Sequence, residues 1–266
     1  MKLNYKYYAH IPQTSVTGAN IPNIVILHGL FGSSKNWVSV AKQLTQYANV
    51  YALDQRNHGD SPHSSSHTLH DMVADLSEFL QSNNLRDVIL LGHSMGGLVV
   101  MLYCLSNPPI QASKIIIQDI APRDYPFVYD QEVAAMSLPV SEAKSRSEID
   151  ENMAKLVPNT FIRQFLQMNL ERDAKGGYFW KINVDSISKS RQMFEKEFES
   201  IQGSFSNVNA LFLLGGQSEY ISPSDLILIQ KYFPHAKVVE ISEGGHYIQF
   251  THNEEFMKKL IAFLTS

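Results

Sequence analysis

A serine hydroxyl becomes a useful nucleophile when a base stands beside it and the backbone lifts it clear of its neighbours. The pentapeptide Gly92-His93-Ser94-Met95-Gly96 provides the second condition. It follows the aliphatic run Val88-Ile89-Leu90-Leu91 and precedes a segment of helical pattern. In that context Gly-x-Ser-x-Gly is a sharp strand-to-helix turn that projects the serine above a sheet. A plain glycine-rich turn before a helix is the blander reading of the same residues. The Met95 amide falls at the start of the following helix, where free N–H groups and the helix dipole favour a developing oxyanion. A second donor belongs in the loop after the first buried strand. His28-Gly29-Leu30 fits, with the Leu30 amide as candidate.

The base must titrate near neutrality, which points to histidine. Of ten histidines, His246 follows the final aliphatic run in Ser242-Glu243-Gly244-Gly245-His246-Tyr247. It lies beyond the carboxyl end of a strand, where ligand sites of such sheets form, and it satisfies the order Ser, acid, His. His93 adjoins Ser94 and reads as a packing residue, while His28 reads as a brace for the oxyanion loop. His58, His63, His67 and His70 are close in sequence but do not form a convincing zinc set. No metal and no organic cofactor is expected.

These residues need strands to carry them. Ile24–Leu27, Val50–Leu53, Val88–Leu91 and Ile115–Ile117 are short aliphatic runs separated by helical patterns, as in strands buried on both faces of a parallel sheet. Residues 2–9 read as an edge strand, followed by a turn-rich segment through Pro22. The alternation stops between about Arg123 and Phe205, where the pattern is mainly helical and more charged. It resumes with Leu211–Leu214 and Lys237–Ile241 and closes with a helix. This predicts an α/β fold in three stretches: core 1–122, a helical cap insertion 123–205, and core 206–266.

Composition narrows the class. Hydrophobic residues make up 44% of 266, enough for a buried sheet, and the net charge of -4 with no dense basic run argues against nucleic acid. Met1-Lys2-Leu3-Asn4-Tyr5-Lys6 lacks the apolar run expected of a signal peptide, and no eighteen-residue apolar run reads as a membrane span. The one cysteine, Cys104, excludes an internal disulfide and reads as a buried structural thiol. The expectation is a cytoplasmic monomer or small homo-oligomer.

His28-Gly29-Leu30-Phe31-Gly32-Ser33, Asp54-Gln55-Arg56-Asn57-His58-Gly59-Asp60-Ser61-Pro62, the elbow, Asp119-Ile120-Ala121-Pro122 and Gly244-Gly245-His246 together resemble the α/β-hydrolase superfamily. Within it the chain is similar to the small bacterial esterase and thioesterase group related to abhydrolase domain-containing protein 11. The resemblance implies a mostly parallel sheet of eight strands, a helical cap, and hydrolysis of carboxylic esters or acyl-CoA thioesters. In many such proteins the acid follows the strand after the cap, but Ser218 stands there in Gly215-Gly216-Gln217-Ser218-Glu219-Tyr220. A serine cannot supply the carboxylate that orients a histidine. Asp119, at the tip of the strand after the nucleophile helix, is the preferred acid and matches the group's Asp-Ile-Ala-Pro aspartate. Glu219, one residue beyond the customary place, is its rival. Arg56 is read as a structural partner of Asp54 or a tie between loops, with substrate-anion binding as the alternative. Trp37 and His28 complete the candidate pocket residues. Ester hydrolysis through an acyl-enzyme of small to medium chain length is the resulting expectation. Acyl transfer to an alcohol and a non-catalytic ligand-binding role are its competitors.

Overall fold

β-Branched and aliphatic runs pack well on a pleated, doubly covered surface, and they set the frame of the computed structural model. The structure describes residues 1–11, 21–199, 201, 203–206 and 208–266. Strand β1 (Tyr5–Tyr8) alternates exposed and half-buried side chains, as befits a sheet edge. β2 (Asn23–Leu27) leads through a 3-10 turn (Ser34–Trp37) into α1 (Val38–Leu44). β3 (Asn49–Leu53), α2 (Leu69–Ser82), β4 (Val88–His93), α3 (Met95–Leu105) and β5 (Ala112–Gln118) follow. Thr68 caps α2 by accepting from the Asp71 amide, so the helix begins where its apolar stripe begins.

Between β5 and the next core strand lie α4 (Asp130–Met136), α5 (Arg146–Met153) and α6 (Thr160–Gln167). A small antiparallel hairpin of β6 (Leu170–Arg172) and β7 (Tyr178–Trp180) comes next, then α7 (Val184–Lys189). The chain returns to the core with β8 (Asn209–Gly215), α8 (Asp225–Tyr232), β9 (Lys237–Ile241), α9 (Ile248–Thr251) and α10 (Asn253–Leu264).

The main sheet runs β1-β3-β2-β4-β5-β8-β9, with β1 antiparallel to β3 and the other pairs parallel. Among the described residues it has seven strands, not the eight implied by resemblance, because β1 is the only strand before β2. The turn-rich segment before Pro22 falls largely on residues 12–20, outside the described residues. One apolar core joins a sheet face to α2, α3 and the segment after β5. The other joins the opposite face to α1 and α10 through Trp37, Leu44, Phe256 and Leu260. Cys104 is buried on α3, and that burial pushes its thiol up, which makes it unreactive. Among the described residues no helix is long and apolar enough to cross a membrane.

Candidate active site

The tips of five parallel strands, β2, β4, β5, β8 and β9, meet in one place. β4 ends in Ser94, whose φ of 51° and ψ of -119° make it the turn between strand and helix α3. The glycines around it are required by close backbone approach. A Cβ on Gly96 would sit 2.3 Å from the Leu27 carbonyl oxygen, and one on Gly92 2.4 Å from that of Gly96. The Ser94 amide donates to the Gln118 carbonyl at 3.1 Å, which ties the elbow to β5.

β5 ends in Asp119, fully buried and also at positive φ (52°). Its Oδ2 lies 2.7 Å from Nδ1 of His246, in the loop after β9. A carboxylate only accepts, so Nδ1 carries the hydrogen and Nε2 is left as the acceptor. The Gly215 amide donates to Asp119 Oδ1 at 2.8 Å, and the Ser218 hydroxyl donates to Oδ2. The serine at the customary acid position therefore bonds to a carboxylate supplied by another strand. Glu219 is exposed and has no part in this contact. The Tyr220 ring stacks on His246 with centroids 3.8 Å apart. From the other side, His93 Nε2 donates to the His246 carbonyl at 3.0 Å, so His93 does more than pack. Burial holds His93 well below the usual histidine range, in the neutral form this contact uses.

After β2, Gly29, Leu30 and Phe31 pass in front of the elbow. A Cβ on Gly29 would meet the Ser94 Cβ at 3.2 Å. Phe31 has φ of 62°, and its amide donates to His58 Nε2 at 3.2 Å while its carbonyl accepts from Asn169 Nδ2 at 2.8 Å. Leu30 lines the cavity beside Ser94, and Met95 opens α3 directly after it.

Three candidate pocket residues lie elsewhere. His28 is buried behind the loop, with Nδ1 2.8 Å from the Gly29 carbonyl and Nε2 accepting from the Gln55 amide at 3.0 Å. It braces the loop and does not line the pocket. Arg56 forms a two-pronged contact to Asp75 on α2 at 2.7 and 2.9 Å, and its charge is spent there. Its partner is Asp75 and not Asp54, because Asp54 is already taken by the amides of Ser34 and Asp60 and by Asn4. Burial alone would raise the Asp54 carboxyl, but those donors hold it below the usual carboxylate range. Trp37 is buried in the core beneath, edge-on to His93.

The cavity in front of Ser94 measures about 230 Å³. Besides the elbow and the Gly29–Phe31 loop, it is lined by Tyr129 and Glu132 of the α4 region, Ile162, Phe165 and Leu166 of α6, and Tyr220, His246 and Tyr247. Tyr129 and Tyr220 share a hydroxyl hydrogen bond of 2.8 Å. No local pattern in the insertion showed which of its side chains would face this cavity. Glu132 and the Ser218 contact had no sequence signal, since both depend on how distant segments pack.

The chain is 33% identical over 258 residues to mouse sn-1-specific diacylglycerol lipase ABHD11, covering 92% of this chain and 82% of that one. It is 28% identical to ethanol acetyltransferase 1 of Cyberlindnera fabianii, over 97% of this chain and 85% of the relative. Among solved structures, a marine microorganism esterase superposes with a TM-score of 0.87 at 37% identity, covering 98% and 99% of the two chains. E-2-(Acetamidomethylene)succinate hydrolase shares the fold, with a TM-score of 0.76 at 17% identity. The model of the alpha/beta hydrolase fold family matches residues 22–253, and the chain belongs to that family.

Proposed function

We propose that the chain is a serine ester hydrolase that works through an acyl-enzyme on esters or thioesters of small to medium acyl groups. The observation that carries this is the His246–Asp119 contact of 2.7 Å at the cavity that also holds Ser94. Ser94 attacks the acyl carbonyl while Nε2 of His246 takes its proton. Asp119 fixes the tautomer and stabilises the imidazolium as it forms. The Leu30 and Met95 amides receive the oxyanion. His246 then protonates the departing alcohol or thiol, and a water activated by the same Nε2 releases the acid. Residues 123–205 act as a cap that walls the cavity with Tyr129, Phe165 and Leu166. The cavity lies below the ~300–1,000 Å³ of common ligand pockets, which favours short acyl chains. The esterase and lipase relatives support ester cleavage.

The test is a fluorophosphonate label together with turnover of p-nitrophenyl esters and acyl-CoAs of graded length. The label should attach at Ser94, and Ser94→Ala should stay folded while losing several orders of magnitude in kcat. A variant that keeps a tenth of wild-type turnover on every good substrate removes Ser94 from the role.

A second reading has a specific support in the ethanol acetyltransferase relatives. The same acyl-enzyme can be intercepted by an alcohol in place of water. Added ethanol would then divert product from acid to ethyl ester at concentrations far too low to compete with bulk water by mass action.

A further inference from the structure

The cavity beside Ser94 contains a carboxylate that the hydrolytic steps do not use. Glu132 lines it, half-buried, and it forms no ion pair among the described residues. The lining includes no lysine or arginine to neutralise it. Arg191 is paired with Asp130, and Arg123 with Asp225. Around Glu132 stand Tyr129, Tyr220 and Tyr247, with Phe31 edge-on to Tyr129 at 5.6 Å and Phe165 against Tyr247 at 5.1 Å. Aromatic rings with one carboxylate and no opposing cation attract a positive group through ring quadrupole and charge, and repel an anion.

The side of the cavity is set by contacts to the base. His246 hands its proton to the leaving group, so that group sits against His246. Tyr220 lies flat on His246, Tyr129 is bonded to Tyr220, and Glu132 follows Tyr129 by one helical turn. On this geometry we infer that Glu132 is a specificity-determining residue, which selects esters whose alcohol part is neutral or cationic and rejects those whose alcohol part carries a negative charge. The inference rests on the ester-hydrolase reading and deepens it. Like charges held about 7 Å apart at an effective dielectric of about 20 repel enough to change kcat/KM on the order of tenfold or more.

The experiment compares three butyrate esters by butyrate release. They are the choline ester, its uncharged carbon isostere the dimethylbutyl ester, and the ester of hydroxypropionate. The expected kcat/KM order is cationic, neutral, anionic, with the anionic ester at least tenfold below the neutral one at low salt. Glu132→Gln should compress the anionic-to-neutral gap by most of that factor, and Glu132→Lys should invert the order. Glu254→Gln, on the remote α10, should leave the ratios as they are, which separates a local effect from a change in net charge. The inference is overturned if the anionic ester is cleaved as well as the neutral one by the wild type, or if the ratios are the same in Glu132→Gln. If neither these esters nor p-nitrophenyl butyrate is cleaved, the ester-hydrolase reading itself fails.

Discussion

At the residue scale Asp119 is the informative position. Asp119 is fully buried, and a buried carboxylate without partners carries a large desolvation cost. It meets that cost with three donors: Nδ1 of His246, the Gly215 amide and the Ser218 hydroxyl. Asp119→Asn would present an amide to His246 and favour the wrong tautomer. The expected loss is roughly 10⁴-fold in kcat with the fold kept, by analogy with the serine-protease triad. Ser218→Ala removes one hydrogen bond to a charged group and should cost on the order of tenfold. Glu219→Gln, at an exposed position, should leave kcat within a small factor of wild type. Steady-state kinetics on one p-nitrophenyl ester checks all three, and equal losses in the Asp119 and Glu219 variants would contradict the assignment. Ser218 shows where sequence reading stopped. Its missing carboxylate was legible, but its hydroxyl bond across to the β5 tip depends on how β8 lies against β5, which no local pattern records.

At the element scale the elbow sets how tightly strand and helix approach. β2 and α3 pack so closely that a methyl on Gly96 collides with the carbonyls of Leu27 and His28 at 2.3 and 2.7 Å. Backbone atoms of a central strand cannot yield as a flexible side chain would. Gly96→Ala should therefore cost about 3 kcal/mol, which lowers Tm by roughly 6–12 °C for a domain of this size. Gly245→Ala is the matched control. A Cβ there meets nothing within 4 Å, so calorimetry should find Tm almost unchanged. The parallel sheet was legible because runs such as Ile24-Val25-Ile26-Leu27 and Ile115-Ile116-Ile117 have no helical alternative of equal quality. The β6–β7 hairpin was not. Leu170-Glu171-Arg172 and Tyr178-Phe179-Trp180 contain no β-branched residue, and each strand exists by pairing with the other. The short helix α9 after His246 was also missed, because four residues are too few to show a period.

At the scale of the whole molecule, four buried histidines link the site to acid stability. His28, His58, His67 and His93 are nearly inaccessible, and burial is the first cause that lowers each of them, with His67 pushed down to about 3. Neutral imidazole is also what the contacts need. His28 Nε2 accepts from the Gln55 amide and His58 Nε2 from the Phe31 amide, so a proton on either nitrogen would break the support of the Gly29–Phe31 loop. The sign follows from these directions. Above the unfolded-state value of about 6.5 neither state binds a proton, and the full stability is present. As pH falls below it the unfolded chain takes up protons that the native one refuses, and stability is lost down toward the native values. Each such histidine contributes a slope of about 1.4 kcal/mol per pH unit. His58, His67 and His93, the three lowered furthest, together reach about 4 kcal/mol per unit, against a total of about 5–15 kcal/mol for a typical domain. The chain should hold its Tm from pH 8 to 7, lose it steeply below pH 6, and unfold at 25 °C before most carboxylates titrate. Circular dichroism melts across that range test this, and a Tm that stays level between pH 7 and 5 would refute it. His67→Gln should shallow the slope by about one proton's share, because a side chain that never ionises gives the unfolded state one fewer site to fill.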